Sequence, residues 1–271
     1  MKLTTVLGCV NDNPRYYRFI PYQIEFWNHF GIRFVAFFIG DKVPEELEPY
    51  QEHIRLWNKT PELSSVFVAQ NLRIYAPTLL HIPDDELVMI TDMDMLPMSE
   101  TYYKAGLEHF EKDDFIHYNE EILHNTKEIF MSYNAAHPDT WGKAFDIHHE
   151  EDIVQRLRDA YMQGDSYNPG SVGWFIDQHT LYNYLTKYPR FHMLHRCVKR
   201  LETWHYQQHM IETPNTIFID QFDDAHFHRD FDKNKTMIEH AKAQLSAGLR
   251  EDIAENNTNE VNVQELHKKV E

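Results

Sequence analysis

The segment Leu87-Val-Met-Ile-Thr-Asp-Met-Asp-Met-Leu-Pro97 decides the fold class of this chain. Its first four residues are all apolar, which is typical of a strand that is covered on both faces of a sheet. Asp92 and Asp94 follow at the point where this strand runs out. Ligands of open α/β sheets bind outside the carboxyl ends of the strands, so this position predicts a binding site.

Strand and helix patterns alternate before this segment. Leu3–Val10 and Arg33–Ile39 are apolar runs that predict buried strands, and the apolar spacing in Arg15–Phe30 predicts a helix. A short strand at His53–Trp57 and a helix from Pro61 to Tyr75 follow. The order indicates an α/β fold with a mainly parallel central sheet flanked by helices.

The second half of the chain is less regular. Gly170–Gly173 predicts a turn, and the other patterns are helices at Thr101–Glu111 and Glu150–Met162, strands at Asp114–Tyr118, Glu128–Tyr133 and Thr216–Ile219, and a strand-to-helix segment at Phe175–Tyr188. Because no internal repeat or linker interrupts the sequence, we expect one domain over residues 1–247, with an elaborated half at 101–247. The polar residues 248–271 predict an exposed tail.

Composition excludes several classes of protein. The 271 residues carry a formal charge of −17, whereas a protein that coats nucleic acid or an anionic membrane needs a basic face. Cys9 and Cys197 are the only two cysteines and lie far apart in sequence, so the chain carries no disulfide framework, which favours a reducing compartment. Since no stretch reaches about 18 apolar residues, we expect no membrane span and a cytoplasmic location.

Asp92 and Asp94 predict a cation site. Two carboxylates one residue apart point to the same side of an extended chain, where they repel each other unless a cation lies between them. Mg²⁺ and Mn²⁺ accept carboxylate oxygens and leave coordination positions for phosphate oxygens. The alternative is a solvated turn whose two acids bind nothing.

The octapeptide Ile90-Thr-Asp-Met-Asp-Met-Leu-Pro97 resembles the Asp-x-Asp motif of GT-A fold glycosyltransferases, and the order of elements over residues 3–100 is similar. The resemblance implies metal-dependent transfer of a hexose or pentose from a UDP- or GDP-sugar to a hydroxyl of a carbohydrate or of a protein- or lipid-linked glycan. Asp92 and Asp94 would hold Mn²⁺ or Mg²⁺. Residues 1–100 would bind the nucleotide sugar, and residues 101–247 the acceptor.

A later patch, Gly170-Ser-Val-Gly-Trp-Phe-Ile-Asp-Gln-His179, is similar to the acceptor-side segment of these enzymes. It implies that Asp177 and Gln178 are catalytic and that Trp174 contacts the acceptor. A carboxylate suits this place, because glycosyl transfer builds positive charge on the sugar and removes a proton from the acceptor. The alternative is a core Trp174 and a helix-capping Asp177. The acid-Gln pair is similar to that of retaining, glycogenin-like enzymes, although retention and inversion both stay open.

A second patch, Asp223-Asp-Ala-His-Phe-His-Arg229, is similar to the late histidine segment that supplies a third metal ligand in some GT-A enzymes. It implies His226 as a ligand, and His228 and Arg229 for a phosphate or the acceptor. A neutral imidazole suits Mn²⁺ beside two carboxylates. With eighteen histidines in the chain, a structural role for His226 is the alternative.

The resemblance also implies a set of nucleotide-sugar contacts at Cys9, Val10, Asn11, Asp41, Arg73, Asp92 and Met93. Base and ribose would lie near the ends of the first two strands, and Arg73 would reach the diphosphate. The first strand is not followed by a glycine-rich phosphate loop, which counts against a nucleotidyltransferase of similar topology.

Two other functions stay open. A phosphatase of the haloacid dehalogenase type would use Asp92 as nucleophile and an acid pair such as Asp223-Asp224 for Mg²⁺. That motif normally closes the first strand, whereas several strands precede Asp92 here. A non-catalytic module that binds nucleotide or carbohydrate is the third interpretation.

Overall fold

Two β-sheets organise the part of the chain that the computed structural model describes, namely residues 1–161, 167, 170–203, 219–228 and 231–247. The strands in these residues are β1 Lys2–Asn11, β2 Arg33–Ile39, β3 Ile54–Trp57, β4 Glu86–Ile90, β5 Met95–Pro97, β6 Phe115–Asn119, β7 Asn134–Ala136, β8 Phe191–Arg196, β9 Arg200–Glu202 and β10 Asp224–His226. The larger sheet has the order β3-β2-β1-β4-β7-β6-β8, and the smaller has the order β5-β10-β9.

The larger sheet is mainly parallel. Strand β1 pairs in parallel with β2 and β4, β2 with β3, and β6 with β8. Among the described strands of this sheet, β7 is the reversed one, because it pairs antiparallel with both β4 and β6. The predicted α/β fold with a mainly parallel sheet is therefore confirmed.

Helices cover both faces of this sheet. They are α1 Pro14–Tyr17, α2 Ile20–His29, α3 Ser65–Tyr75, α4 Glu100–Lys104, α5 Pro138–Phe145, α6 Glu150–Ala160, α7 Ile176–Leu185 and α8 at 231–247. Short 3-10 helices occur at Glu45–His53, Ala76–Leu79, Leu107–His109, Val172–Phe175 and Ile219–Gln221. No helix in the described part of the chain has the length and apolar character that crossing a membrane requires.

Two apolar clusters hold these layers together. Neighbouring residues of β1, Val6 and Leu7, belong to different clusters, as do Phe34 and Val35 of β2, because successive side chains of a strand point to opposite faces. Helices α2, α4 and α8 and the smaller sheet pack on one face, and α3, α5, α6 and α7 pack on the other. Burial of both faces explains the continuous apolar runs in the sequence.

Three predicted helices differ in extent from the observed ones. Arg15–Phe30 is two helices rather than one, since Pro21 has no N–H to donate and occupies the first turn of α2. The helix predicted at Thr101–Glu111 ends at Lys104, and Gly106 then adopts a left-handed φ of 75°. The predicted start of α3 at Pro61 is four residues too early, because α3 begins at Ser65.

The strand predicted at Glu128–Tyr133 is wrong. The side-chain amide of Asn134 donates to the carbonyl oxygens of Phe130 and Met131 at 2.8 and 2.9 Å, which turns the chain back on itself. Tyr133 has a left-handed φ of 67°, so regular extended pairing begins only at β7.

The strand predicted at the start of Phe175–Tyr188 is also wrong, because a 3-10 helix leads directly into α7 there. Residues 216–218 of the predicted strand Thr216–Ile219 lie outside the described residues, and Ile219 begins a 3-10 helix. The single domain at 1–247 and the tail at 248–271 stay predictions.

Candidate functional site

A cleft with a volume of about 380 Å³ opens where β1 and β4 end. Most of the predicted site residues line it, namely Cys9, Val10, Asn11, Arg73, Asp92, Met93, Asp94, Trp174, Asp177, Gln178, His226 and His228. Asp41, predicted at the ribose, is exposed in the bend after β2 and does not line the cleft. Arg229 lies outside the described residues.

The chain turns between Asp92 and Asp94 instead of staying extended. The backbone N–H of Met95 donates to the carbonyl oxygen of Asp92 at 3.3 Å, which closes a four-residue turn. The expectation that the two carboxylates share a side of an extended strand is therefore wrong. Both still line the cleft, but their side chains contact different partners.

Gln23 of α2 holds this turn. Its side-chain Nε2 lies 3.2, 2.9 and 2.7 Å from the carbonyl oxygens of Asp92, Met93 and Met95. The other amide atom, Oε1, accepts a hydrogen bond from the indole of Trp27 at 2.8 Å. Gln23 is fully buried, so these fixed partners replace the water that its amide would otherwise bind. The sequence alone gave no reason to single it out.

The side chain of Met93 packs the same turn against β1. Its side chain is buried, and a Cβ atom on Gly8 of β1 would lie 2.6 Å from the Met93 sulfur. A side chain at position 8 would therefore require the end of the Met93 side chain to shift. The predicted contact of Met93 with the nucleotide sugar stays a prediction, since most of this side chain packs into the core.

Arg73 of α3 links two of the three cleft carboxylates. Its Nη1 donates to Asp92 Oδ1, its Nη2 donates to Asp177 Oδ2 at 2.7 Å, and its Nε donates to the carbonyl oxygen of Gln70 at 3.0 Å. Burial lowers the pKa of Arg73, but the two carboxylates outweigh burial and raise it. All three guanidinium nitrogens thus have protein partners, whereas the sequence predicted a contact with the diphosphate.

Asp177 lies in the first turn of α7 and is only 2% exposed. Its Oδ1 accepts the backbone N–H of Gln178 at 2.8 Å, and its Oδ2 accepts from Arg73. Burial raises the pKa of Asp177, while the Arg73 charge opposes this rise. The helix-cap alternative does not describe Asp177, because the residue before the helix is Phe175. Trp174 is half-buried and lines the same wall.

The smaller sheet places His226 beside Asp94, the second acid of the Asp-x-Asp segment. His226 of β10 pairs with Met95 of β5 and with Glu202 of β9, so its ring lies beside Asp94. His226 Nε2 lies 3.6 Å from Asp94 Oδ2, and Nδ1 lies 3.2 Å from Glu202 Oε2. Burial lowers the pKa of His226, but Asp94 and Glu202 outweigh burial and raise it.

The donor atoms near Asp94 suit a divalent cation. Carboxylate oxygen and imidazole nitrogen are ligands that Mn²⁺ takes, and Asp94 and His226 are already adjacent. Asp92 Oδ2 has no hydrogen-bond partner among the described residues. Among these residues, however, no group of three or more His, Cys, Asp and Glu side chains is arranged to hold a metal. Arg73 pairs with Asp92.

Arg200 is a cleft residue that sequence reasoning missed. Its Nε lies 2.8 Å from Asp224 Oδ1, and its Nη2 lies 2.7 Å from Asp224 Oδ2. The hydroxyl of Tyr133 also donates to Asp224 Oδ2, at 2.6 Å. Asp224 is 0% exposed, while Arg200 lines the cleft. The sequence carries little signal for this cluster, because β9 and β10 have only three residues each and no apolar pattern.

Comparisons with known proteins bear on the fold. No protein-family model and no curated protein sequence matches this chain. The glycosyltransferase GlyE of Streptococcus pneumoniae TIGR4 superposes with a TM-score of 0.50 and 14% identity, over 94% of this chain and 64% of GlyE. This chain therefore spans less than two thirds of GlyE and shares its fold.

Two further solved structures are similar at lower TM-scores. The galactosyltransferase LgtC, in complex with donor and acceptor sugar analogs, has a TM-score of 0.44 and 11% identity, over 89% of this chain and 96% of LgtC. A glycosyltransferase involved in glycosylation of the major capsid of PBCV-1 has a TM-score of 0.44 and 13% identity, over 90% and 100%. At such identities, the likeness concerns the fold alone.

Proposed function

We propose that this chain is a metal-dependent glycosyltransferase that moves a hexose or pentose from a nucleotide-diphosphate sugar to an acceptor hydroxyl. The observation that carries the proposal is the convergence of Asp92 and Asp94 with Asp177, from a second and distant segment, on one cleft at the carboxyl ends of β1 and β4. The fold shared with GlyE supports the proposal as an analogy, since a fold hosts many functions and the site must decide among them.

The donor would lie along the end of β1. Cys9, Val10 and Asn11 line that end of the cleft, and the side-chain amide of Asn11 donates to the hydroxyl of Ser65 at 3.1 Å. This bond fixes the amide for contact with a UDP or GDP nucleoside. Asp94 and His226, with Asp92, would hold Mn²⁺ or Mg²⁺, which when bound supplies positive charge to the diphosphate leaving group.

Asp177 would act at the sugar. As a buried carboxylate, it can stabilise positive charge on the sugar ring or accept the proton of the acceptor hydroxyl. The charge of Arg73 opposes the rise in the pKa of Asp177 that burial causes, so it favours the charged form of this carboxyl. Gln178 and Trp174 line the same wall and would hold the hydroxyls and one face of a sugar, and His228 would contact the acceptor.

The phosphatase alternative loses support at its acid pair. Asp224 is fully buried in a bidentate pair with Arg200, and Asp223 Oδ2 accepts the backbone N–H of Lys199 at 2.8 Å. These contacts leave no carboxylate pair presented to Mg²⁺ at Asp223 and Asp224.

A thermal-shift panel of UDP- and GDP-sugars, each with and without Mn²⁺, tests the proposal. A ligand at about 100 times its Kd stabilises the folded state by about 2.7 kcal/mol, so the correct donor raises the Tm by several degrees. We expect this rise only with metal. A metal-independent rise would favour the non-catalytic binding module, and no rise with any donor would overturn the proposal. The cytoplasmic location stays a prediction.

A further inference from the structure

We propose that Arg200 forms an acceptor subsite for an oxyanion, a carboxylate or phosphate group carried by the acceptor sugar; this assignment rests on the proposed function. It concerns the end of the cleft that lies next to the smaller sheet.

One edge of the Arg200 guanidinium is used, and another edge is available. A guanidinium has five N–H donors in a planar fork. Arg200 gives its Nε and Nη2 to Asp224, while Nη1 has no hydrogen-bond partner among the described residues. Because Arg200 lines the cleft with 21% of its side chain exposed, this second edge can donate to a ligand.

The available edge is held in a fixed orientation. Asp224 is fully buried and receives bonds from both Arg200 and Tyr133, so the guanidinium plane cannot rotate without breaking a buried ion pair. A planar guanidinium whose direction is set in advance matches a carboxylate or phosphate and loses little entropy on binding.

The position of Arg200 points to the acceptor rather than to the nucleotide. In the larger sheet, β4 lies between β1 and β7. Cys9, Val10 and Asn11, predicted to contact the nucleoside, end β1, whereas Tyr133, which bonds the partner of Arg200, directly precedes β7. Strands lie about 4.8 Å apart, so these two sides of the cleft are separated by about 10 Å. Asp92 and Asp94 lie between them.

The charge of the chain makes a specific donor necessary for an anionic acceptor. At a net charge of −17, the protein surface repels anions in general. Arg73, the other arginine among the described residues that line the cleft, bonds through each of its three nitrogens, and the negative charges of its partners Asp92 and Asp177 oppose a bound anion. Arg200 therefore has the guanidinium edge that can select an oxyanion in this cleft.

Matched sugar pairs test the subsite by ligand-observed NMR titration in the absence of donor. One pair is p-nitrophenyl β-D-glucuronide and p-nitrophenyl β-D-glucoside, and the other is glucose 6-phosphate and glucose. We expect the anionic member of at least one pair to bind at least about 10-fold more tightly, which corresponds to about 1.4 kcal/mol. The pair that shows the preference distinguishes a carboxylate from a phosphate. Equal affinity, or no binding, in both pairs would overturn the inference.

Variants assign the preference to Arg200. Arg200→Gln should abolish it, and Arg200→Gln combined with Asp224→Asn should do the same without leaving a buried unpaired charge. Arg158→Gln removes an exposed arginine that pairs with Glu62 outside the cleft, and it should retain the preference. A preference that persists in the double variant would contradict the assignment.

Further outcomes separate this inference from the proposed function. Loss of UDP affinity in the double variant would place the guanidinium on the donor diphosphate and overturn the acceptor subsite. Absence of donor turnover by the unmodified enzyme would overturn the proposed function, whereas the binding preference is measured without any donor. Equal affinities in an enzyme that turns over its donor would overturn the subsite alone.

Discussion

Arg73 and Arg200 both hold a buried carboxylate at the cleft, but they use their nitrogens differently. Arg73 connects Asp92 to Asp177 and gives its third nitrogen to a backbone carbonyl. Arg200 gives two nitrogens to one carboxylate, Asp224. The first arginine is thus a counter-ion inside a cluster of acids, and the second keeps an edge for a ligand.

The charged groups around Arg73 also differ from those around Arg200. Three carboxylates, Asp92, Asp94 and Asp177, line the cleft near the single guanidinium of Arg73. Asp94 pairs with His226, so this end of the cleft offers carboxylate oxygens and an imidazole nitrogen, which are ligands that a divalent cation takes. The pair of Arg200 and Asp224 is balanced by itself, so it needs no cation. One end of the cleft is therefore suited to a metal with a diphosphate, and the other to an oxyanion.

The largest expected effect is the loss of the Arg73 counter-ion. Arg73→Gln leaves the side chain of Asp177, which is 3% exposed, without a charged partner. Breaking a buried ion pair from one side costs about 3–5 kcal/mol, and urea unfolding at pH 7 measures it. A loss below about 1 kcal/mol would contradict the counter-ion role, and Arg158→Gln is the control for removal of an exposed arginine.

The pH dependence of this variant has a definite sign. Burial raises the pKa of Asp177, and Arg73 opposes that rise, so the pKa rises further in Arg73→Gln. An acid with a raised pKa in the folded state costs stability above that pKa, and the cost disappears as the pH falls and the carboxyl is protonated. The deficit of Arg73→Gln should therefore shrink in acid. A deficit that grows in acid would contradict this account.

A smaller loss of stability is expected when Tyr133, which bonds Asp224 in the Arg200 cluster, loses its hydroxyl. Tyr133→Phe removes a hydrogen bond to the buried carboxylate of Asp224, while Arg200 still holds that carboxylate. The expected loss is about 1.5–3 kcal/mol, the range for hydrogen bonds to charged groups. Tyr118→Phe is the matched control, because the Tyr118 hydroxyl is also buried but donates to a neutral carbonyl, that of Tyr103. Equal losses in the two variants would contradict the anchoring of Asp224 by Tyr133.

The smallest change in stability is expected from a variant that alters the pKa of His226. Glu202→Gln removes one of the carboxylates that raise the pKa of His226, so this pKa should fall in an NMR titration. A raised histidine pKa adds stability below the unfolded value of about 6.5, and this stability is lost as the pH rises through the folded value. The variant should be less stable than the parent chain in acid and nearly equal at alkaline pH. Glu25→Gln, which removes a carboxylate paired with Lys242, is the control.

The sequence predicted the centre of the fold better than its margins. Strands β1, β2 and β4 are covered on both faces, so their apolar runs are visible without any structure. Strand β8 has the sequence Phe-His-Met-Leu-His-Arg with no fully buried residue, and it gives no comparable signal. The Asn134 side chain, which bonds back to Phe130 and Met131, is a local contact that competes with strand propensity.

The Arg73 cluster was likewise easier to predict from the sequence than the Arg200 cluster. Asp92 and Asp177 belong to peptides whose neighbours mark them, a strand end in one case and an aromatic patch in the other. Arg200 and Asp224 are separated by 24 residues and meet only because β9 pairs with β10. Gln23 was equally hidden, since a polar residue in an amphipathic helix indicates a solvent-facing position until its partners are known.

The central claim is that Asp94 takes part in metal-dependent turnover of a nucleotide sugar. The most direct measurement is the rate of donor hydrolysis with Mn²⁺, using the donor that the thermal-shift panel selects, in the parent chain and in Asp94→Asn. We expect a rate at least about 100-fold lower in the variant. This loss is larger than that caused by removing residues that hydrogen-bond to metal ligands. Asp113→Asn, which changes an exposed carboxylate outside the cleft, should keep the parent rate. Full turnover by Asp94→Asn would contradict the account.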